Sequence, residues 1–329
     1  MIEEILSIAS KVAEAAEVFQ VNTTETPVAF ESNRLKQITS RQSRSISLRI
    51  IRKGKLGFAT ASGEVKAEEL VKRAIEAAEF GAVAHFELPA SYNHPDIKVF
   101  DNKVENITQD RMVEMGQGLI DAVCAHNSEL KCDGRVAKGV VEVNIANSRG
   151  SEAKYKKSIF HIDVEGTLIR GTDMLFVGDG DVSCNPIADY HPIARMVIEQ
   201  LEMAKNNVSM PTKILPAIFT PKGVGSAFLM PLVTAFNGRV VLQGASPLGH
   251  RQGEKVFQDN ISLWDDATIP FKPSSRPWDD EGMPSQRNPL IEKGVVGNFL
   301  YDLQTAGMAK AKSSGNASRA MGGMPAPMA

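Results

Sequence analysis

Residues 45–50, Ser-Ile-Ser-Leu-Arg-Ile, alternate polar and apolar side chains, and the next turn, Lys53-Gly54-Lys55, is followed by the short apolar run Leu56-Gly57-Phe58-Ala59-Thr60. Successive strand side chains point to opposite faces, so this period of two predicts a half-buried strand returning as a hairpin. A second alternating run, residues 139–146 (GVVEVNIA), ends at the turn Asn147-Ser148-Arg149-Gly150 and continues into strands at 157–167 and 172–177. Two antiparallel meanders of this kind commit the chain to a sheet that needs cover on at least one face.

The cover is visible as helical periods. Ile5, Ile8, Val12, Ala16 and Phe19 recur at three- and four-residue spacing and predict one surface helix over 3–19. Residues 66–81 predict a second helix. A loop over 83–106, broken by Pro89 and Pro95, leads to a third helix at 108–126 that Thr108 would cap. A fourth spans 191–205, with Pro192 in its first turn. Helix, strands, helix thus occurs twice before residue 210, which suggests a structural duplication. The expected domains are 1–105, 106–210 and 211–329. In the last, 214–220 reads as a buried strand and 223–236 as a buried helix despite Pro231. Residues 244–289 carry no clear strand, and 294–303 is the last hydrophobic segment. The tail from Lys310 has few core-forming residues, so it would be disordered or lie along another surface.

A net charge of -2 provides no global field for nucleic acid or an anionic membrane. No apolar run is long enough to span a bilayer, and the acidic amphipathic start does not read as a signal peptide. Cys124, Cys132 and Cys184 lack CxxC spacing and read as reduced, buried thiols. The expected setting is cytoplasmic.

The chemistry-bearing motifs are mostly absent. None of the histidines (His85, His94, His126, His161, His191, His250) is followed by glutamate, so there is no HExxH zinc site. There is no GxSxG elbow, and 220–226 (TPKGVGS) does not match a phosphate-binding P-loop. His161, Asp163 and Glu165 would share one strand face and are weak candidates for a cation site, against the commoner solvated face. Gly178-Asp179-Gly180-Asp181 reads as a hairpin turn. Arg34, Lys36, Arg41, Arg44, Arg49, Arg52, Lys53 and Lys55 occur without an intervening acid and read as a solvated face balanced by Glu64, Glu68 and Glu69.

The most specific signal is an ordered series near the end: Asp279-Asp280-Glu281-Gly282, Gln286-Arg287, Leu290-Ile291-Glu292-Lys293-Gly294, Leu300-Tyr301-Asp302 and Ser314-Gly315-Asn316-Ala317. This series resembles the region after the catalytic helix in the TldD/PmbA family (modulator of DNA gyrase), and the hairpin at 45–63 with the helix after it agrees more loosely. The resemblance implies an α+β fold: an N-terminal α/β subdomain, repeated helix–antiparallel-sheet units, and a β-rich C-terminal part, here shortened relative to the family. It also implies metalloprotease-related chemistry in which TldD-like subunits carry an HExxxH helix and TldE/PmbA-like subunits lack it. The corresponding helix here places Met230, Pro231 and Ala235 where the ligands and base would stand, and a thioether, an imino acid and a methyl group cannot hold a hydrolytic zinc.

The reading that follows is a TldE-like, non-catalytic subunit with no catalytic residue of its own. Zinc is expected in a TldD-like partner, reached by heterodimerisation or replaced by self-association. A peptide substrate would be held at a groove with an exposed strand edge, by backbone hydrogen bonds. Asp280 and Arg287 are candidate groove or interface contacts, or else a structural ion pair. The alternatives are a peptidase with a relocated metal site at His161 and Asp163, or a binding protein that regulates a nucleic-acid machine.

Overall fold

The computed structural model of the chain describes residues 1–91, 94–206, 208–319 and 323–328. Helix α1 (Ile2–Ala9) precedes strands β1 (Ala15–Glu31), β2 (Arg34–Ile38), β3 (Arg41–Arg52) and β4 (Lys55–Ser62), and helix α2 (Ala67–Glu79). The short α3 (Asn102–Glu105) and the long α4 (Gln109–Cys124) introduce β5 (Lys131–Asn147), β6 (Glu152–Arg170), β7 (Asp173–Ser183) and α5 (His191–Met203). Thr108 caps α4 as its sequence suggests, its hydroxyl accepting the Arg111 N–H at 3.2 Å.

All these strands belong to one seven-stranded antiparallel sheet in the order β4-β3-β1-β5-β6-β7, with β2 paired to the far part of β1. Strand β1 is the hinge of the arrangement, because it pairs with β3 along one side and β5 along the other. The two helix–strands–helix units therefore lie side by side in one sheet that runs across position 105. Their helices share a face. Ala16, Val18, Ile46, Leu48 and Ile50 pack under α1 and α2, and Val28, Phe30, Val136, Phe160, Ile162 and Val164 pack with α4 and α5.

The expected helix over 3–19 ends at Ala9, and Ala15 onward is strand. The helical spacing of Ala16 and Phe19 is coincidental: Ala16 faces the α1/α2 core, whereas Phe19 lies on the opposite face with Val143, Ile145 and Trp278. Cross-strand pairing to two neighbours has overridden the local period.

The C-terminal part contains α6 (Pro221–Val224), a π-helical turn (Gly225–Leu229), α7 (Met230–Ala235), α8 (Gly238–Leu242), β8 (Leu263–Asp266), β9 (Arg287–Glu292), β10 (Val295–Val296), α9 (Leu303–Ala309), β11 (Ala317–Ser318) and β12 (Ala326–Pro327). Its core gathers Ala235, Phe236, Leu248, Leu290, Ile291, Val296, Phe299 and Leu300. The chain is α+β, as its sequence implies. Two expectations fail here. Residues 214–220 form no strand and are exposed; Pro211, Pro216 and Pro221 withhold donors from any ladder. The helical stretch 223–236 is interrupted by the π turn and is mostly exposed up to Pro231; Leu232 packs against the core, and Ala235 and Phe236 enter it. The tail from Lys310 takes the second of its two expected courses. Ser314, Asn316, Ala317 and Arg319 are buried against the rest of the protein.

Candidate functional site: a buried charge knot, an open sheet face and an apolar arm

At one end of the sheet, on the face away from the helices, Glu17 and Arg49 stand directly opposite each other across β1 and β3. Arg49 bridges Glu17 at 3.0 Å and also pairs with Glu281, while Arg319 from the tail pairs with Glu17. All four side chains have at most 2% exposure. Arg49 also lies 4.6 Å over the Phe86 ring and Arg319 5.0 Å over Phe19. Burial works to lower the Arg49 pKa, and the Glu17 and Glu281 carboxylates outweigh it, so the guanidinium is held charged. The cation expected on a solvated face is thus the centre of a buried knot. Lys36, from the same basic run, conforms to that expectation as an exposed partner of Glu31.

The knot explains the ordered C-terminal series. Asp279 accepts the N–H groups of Glu281 and Met283 at 2.9 Å each and that of Ala317 at 2.8 Å. Gly282 turns the chain at φ +76°, a conformation that favours glycine. Gly315 does so at φ +70°, where a Cβ would also lie 2.4 Å from the Pro284 carbonyl. Asp302 caps α9 through a reciprocal bond with Thr305, and the adjoining Leu303 N–H donates to Glu281 at 2.7 Å. Asn288 donates to Asn316 Oδ1 at 2.8 Å, and Asn316 donates to Asp265 at 2.7 Å. Segments that are dispersed in sequence close one network around Arg49.

Burial, then the Glu281 carboxylate, push Asp279 up to about 7, against the opposing pull of Arg276 and the N–H donors. Its folded pKa lies above its unfolded value near 3.8. The stability Asp279 contributes is therefore complete below about pH 4 and lost as pH rises through 7. Melting temperature measured from pH 5 to 8.5 is expected to fall between pH 5 and about 7 and to level off above it, and an Asp279→Asn variant, although less stable throughout, to lose that decline.

Asp280 and Arg287 do not pair with each other. Asp280 accepts the Arg319 N–H at 2.7 Å and meets Arg276 at 3.3 Å, so it belongs to the knot. Arg287 is mostly exposed, stacks 4.5 Å over Trp264 and reaches Asp266 at 3.7 Å.

Further along the same face of the sheet the C-terminal cover ends. A groove of about 240 Å³ is lined by Thr23, Glu25, Arg135, Val141, Ile159 and His161. It continues into one of about 670 Å³ lined by His161, Asp163, Glu165, Phe176, Gly178 and Gly180. His161 and Asp163 do share this face, 3.3 Å apart. Burial, then the neighbouring Glu165, raise the Asp163 pKa against the pull of His161. Among the described residues no group of three or more His, Cys, Asp or Glu side chains converges as metal ligands would. Gly178-Asp179-Gly180-Asp181 is strand rather than turn. Gly180 leaves room for Asp163, whose Cβ would lie 2.7 Å from a Cβ at that position.

Strand β7 is a sheet edge, and side chains cover it. Gln200 accepts the Gly178 N–H at 3.0 Å and donates to the Gly178 carbonyl at 2.9 Å. Asp179 takes the Gly180 N–H at 2.7 Å, and Asp181 takes the Val182 N–H at 2.8 Å. These bonds occupy the N–H groups of Gly178, Gly180 and Val182 and the Gly178 carbonyl, which blunts this edge against an added strand; the sheet face beside it is open.

Next to this edge runs an apolar arm. Val208, Met210, Ile214, Ile218, Phe219, Phe228, Leu229 and Met230 are all exposed. Lys222 at the start of α6 pairs with Asp179 of β7, and Phe219 meets Phe228 edge-on at 4.7 Å. Thr220 caps the four-residue α6 through the Gly223 N–H at 3.1 Å. Met230 and Pro231 are exposed on α7, and Ala235 is buried at its end. These three side chains do not fit a zinc ion, because none carries a nitrogen, carboxylate or thiolate donor.

A curled antiparallel sheet with helices on one face, closed at one end by a motif-rich C-terminal part, is the architecture of the metallopeptidase-related proteins that this chain resembles in sequence. The chain belongs to the PmbA/TldD family: residues 16–78 match PmbA/TldA metallopeptidase domain 1, and residues 212–329 match the PmbA/TldA metallopeptidase C-terminal domain. The two matched regions are the ones the Arg49 knot ties together. The fold is similar to TldE from Thermococcus kodakarensis, with a TM-score of 0.87 and 22% identity over 99% of this chain and 75% of that one. An uncharacterized protein of Methanocaldococcus jannaschii is 24% identical over 98% of this chain and 76% of its own length. A metalloprotease of Methanothermobacter thermautotrophicus is 23% identical over 91% of this chain. The chain spans 66% of that second relative's length. Among the described residues no helix is long and apolar enough to cross a membrane.

Proposed function

We propose that this chain is the metal-less, TldE-like subunit of a two-subunit peptidase. It docks a TldD-like subunit through the apolar arm, offers its open sheet face to an extended peptide, and leaves zinc and hydrolysis to the partner. The observation that carries the reading is the helix at 230–235. By its resemblance to the family's sequence this helix corresponds to the zinc-binding helix of TldD-like subunits, and it presents Met230 and Pro231 to solvent with no ligand to offer. The arm leading into that helix supports the docking role, since a contiguous exposed apolar surface of this kind marks an interaction site.

The peptide role rests on the groove of Thr23, Val141, Ile159 and His161, which presents both apolar and polar side chains on the sheet face. The net charge of -2 speaks against a nucleic-acid partner. Mixing the purified chain with an HExxxH-bearing family member from the same source, and measuring mass in solution by light scattering, is expected to give a one-to-one complex. Two species that elute independently at micromolar concentration would reject the docking role.

A further inference from the structure

We infer that Cys124 and Cys132 are a redox pair, converted by a small disulfide oxidant into an internal disulfide that fastens the end of α4 to the start of β5. The thiols lie 3.8 Å apart, and the residues are eight positions apart in sequence. One is half-buried at the last position of its helix and the other is fully buried on the strand. Sulfurs already in contact need to close by less than about 2 Å to reach the disulfide bond length of about 2 Å.

The surroundings hold the pair in register. Asn33, in a left-handed turn at φ 72°, accepts the Cys132 N–H at 2.6 Å and donates its amide to the Leu130 carbonyl at 3.0 Å. Its backbone N–H donates to the Cys132 carbonyl at 2.8 Å. Gln117 of α4 donates to the Asn33 carbonyl at 3.2 Å. The turn between β1 and β2 therefore already links the helix to the strand through hydrogen bonds, and the disulfide adds a covalent link at the same place. Cys184 is not part of the pair. It is buried just after β7, its thiol toward the Lys272 carbonyl at 3.4 Å, and serves as an internal control.

The reaction balances with oxidised glutathione as the oxidant. The Cys124 thiolate attacks one glutathione sulfur, forming a mixed disulfide and expelling a glutathione thiolate. The Cys132 thiolate then attacks the Cys124 sulfur and expels the second. The protein loses two electrons and two protons, and the oxidant leaves as two thiols. Burial raises the Cys124 pKa and pushes Cys132 up to about 12, so both thiolates are scarce at neutral pH and oxidation accelerates as pH rises.

The test incubates the reduced full chain with oxidised glutathione at pH 7 and pH 9, quenches with acid, alkylates under denaturing conditions and maps peptides by mass spectrometry. The expected product has a mass lower by ~2 Da before alkylation, one alkylated cysteine (Cys184) and a Cys124–Cys132 linked peptide. It should form about tenfold or more faster at the higher pH. Its melting temperature should rise by about 3–5 °C relative to the reduced chain. A Cys124→Ser variant, altered at the half-buried position, should keep both remaining thiols. Three alkylated cysteines after oxidation at pH 9, a persistent glutathione adduct on Cys124, or a bond that uses Cys184 or a second chain would each overturn the pair.

Discussion

Replacing Arg49 with alanine is expected to lower stability by about 3–5 kcal/mol, because it leaves the Glu17 and Glu281 carboxylates buried without their shared cation. The loss is larger than that of a surface ion pair, typically about 0–1 kcal/mol, since these carboxylates are fully buried and cannot recover their hydration. Urea unfolding followed by the fluorescence of Trp278, in a Trp264→Phe background that removes the second tryptophan, reports it directly. That side chain lies between the sheet and the C-terminal part, beside Phe19 and Ile145. Replacing Arg49 with methionine and Glu17 with glutamine together should cost less than the sum of the two single changes, because the double variant removes charge of both signs. A loss below about 1 kcal/mol for Arg49→Ala would mean that the charges are solvated and that the knot does not join the two family regions.

The second large effect is on assembly. Aspartate at Phe219, Phe228 and Met230 in one variant is expected to weaken binding to an HExxxH-bearing subunit by at least about a hundredfold, since each exposed apolar anchor at an interface is worth about 2 kcal/mol. All three positions are exposed. The melting temperature of the isolated chain should therefore stay within about 2 °C of the parent, as surface changes generally do. The two readouts separate a lost docking face from a damaged fold. Unchanged binding by the variant would place the interface elsewhere on the molecule.

What the sequence disclosed follows from how local each signal is. The alternation at 45–50 and 139–146, the Thr108 cap and the helix expected at 191–205, which forms over His191–Met203, depend on neighbours within a turn or a strand, and all are found in the structure. The helical spacing of Phe19 from Ala16 mimics a stripe that only long-range pairing dissolves. The breakdown of 214–220 follows from Pro216 within it and Pro211 and Pro221 beside it, against an apolar composition that favours a strand. The knot was half legible: Asp279, Glu281 and Asp302 stood in the family-like series, but nothing near Glu17, Arg49 or Arg319 in sequence points to the others. Their partners lie 32 to 302 residues away. The closed edge of β7 depends on Gln200 reaching back from α5, a contact with no sequence signature. The exposure of the arm is equally invisible in composition, which cannot distinguish an apolar helix buried in its own core from one that awaits a partner.

The central claim is that hydrolytic zinc belongs to the partner and not to this chain. Elemental analysis of the chain purified without chelator, alone and in complex with an HExxxH-bearing subunit, measures it directly when run beside a peptide-hydrolysis assay. The expected result is no stoichiometric zinc and no hydrolysis for the chain alone, and one zinc with peptide cleavage for the complex. One zinc per chain in the isolated protein, lost together with peptidase activity on replacing His161 with alanine, would contradict the account and establish the sheet face as the catalytic centre.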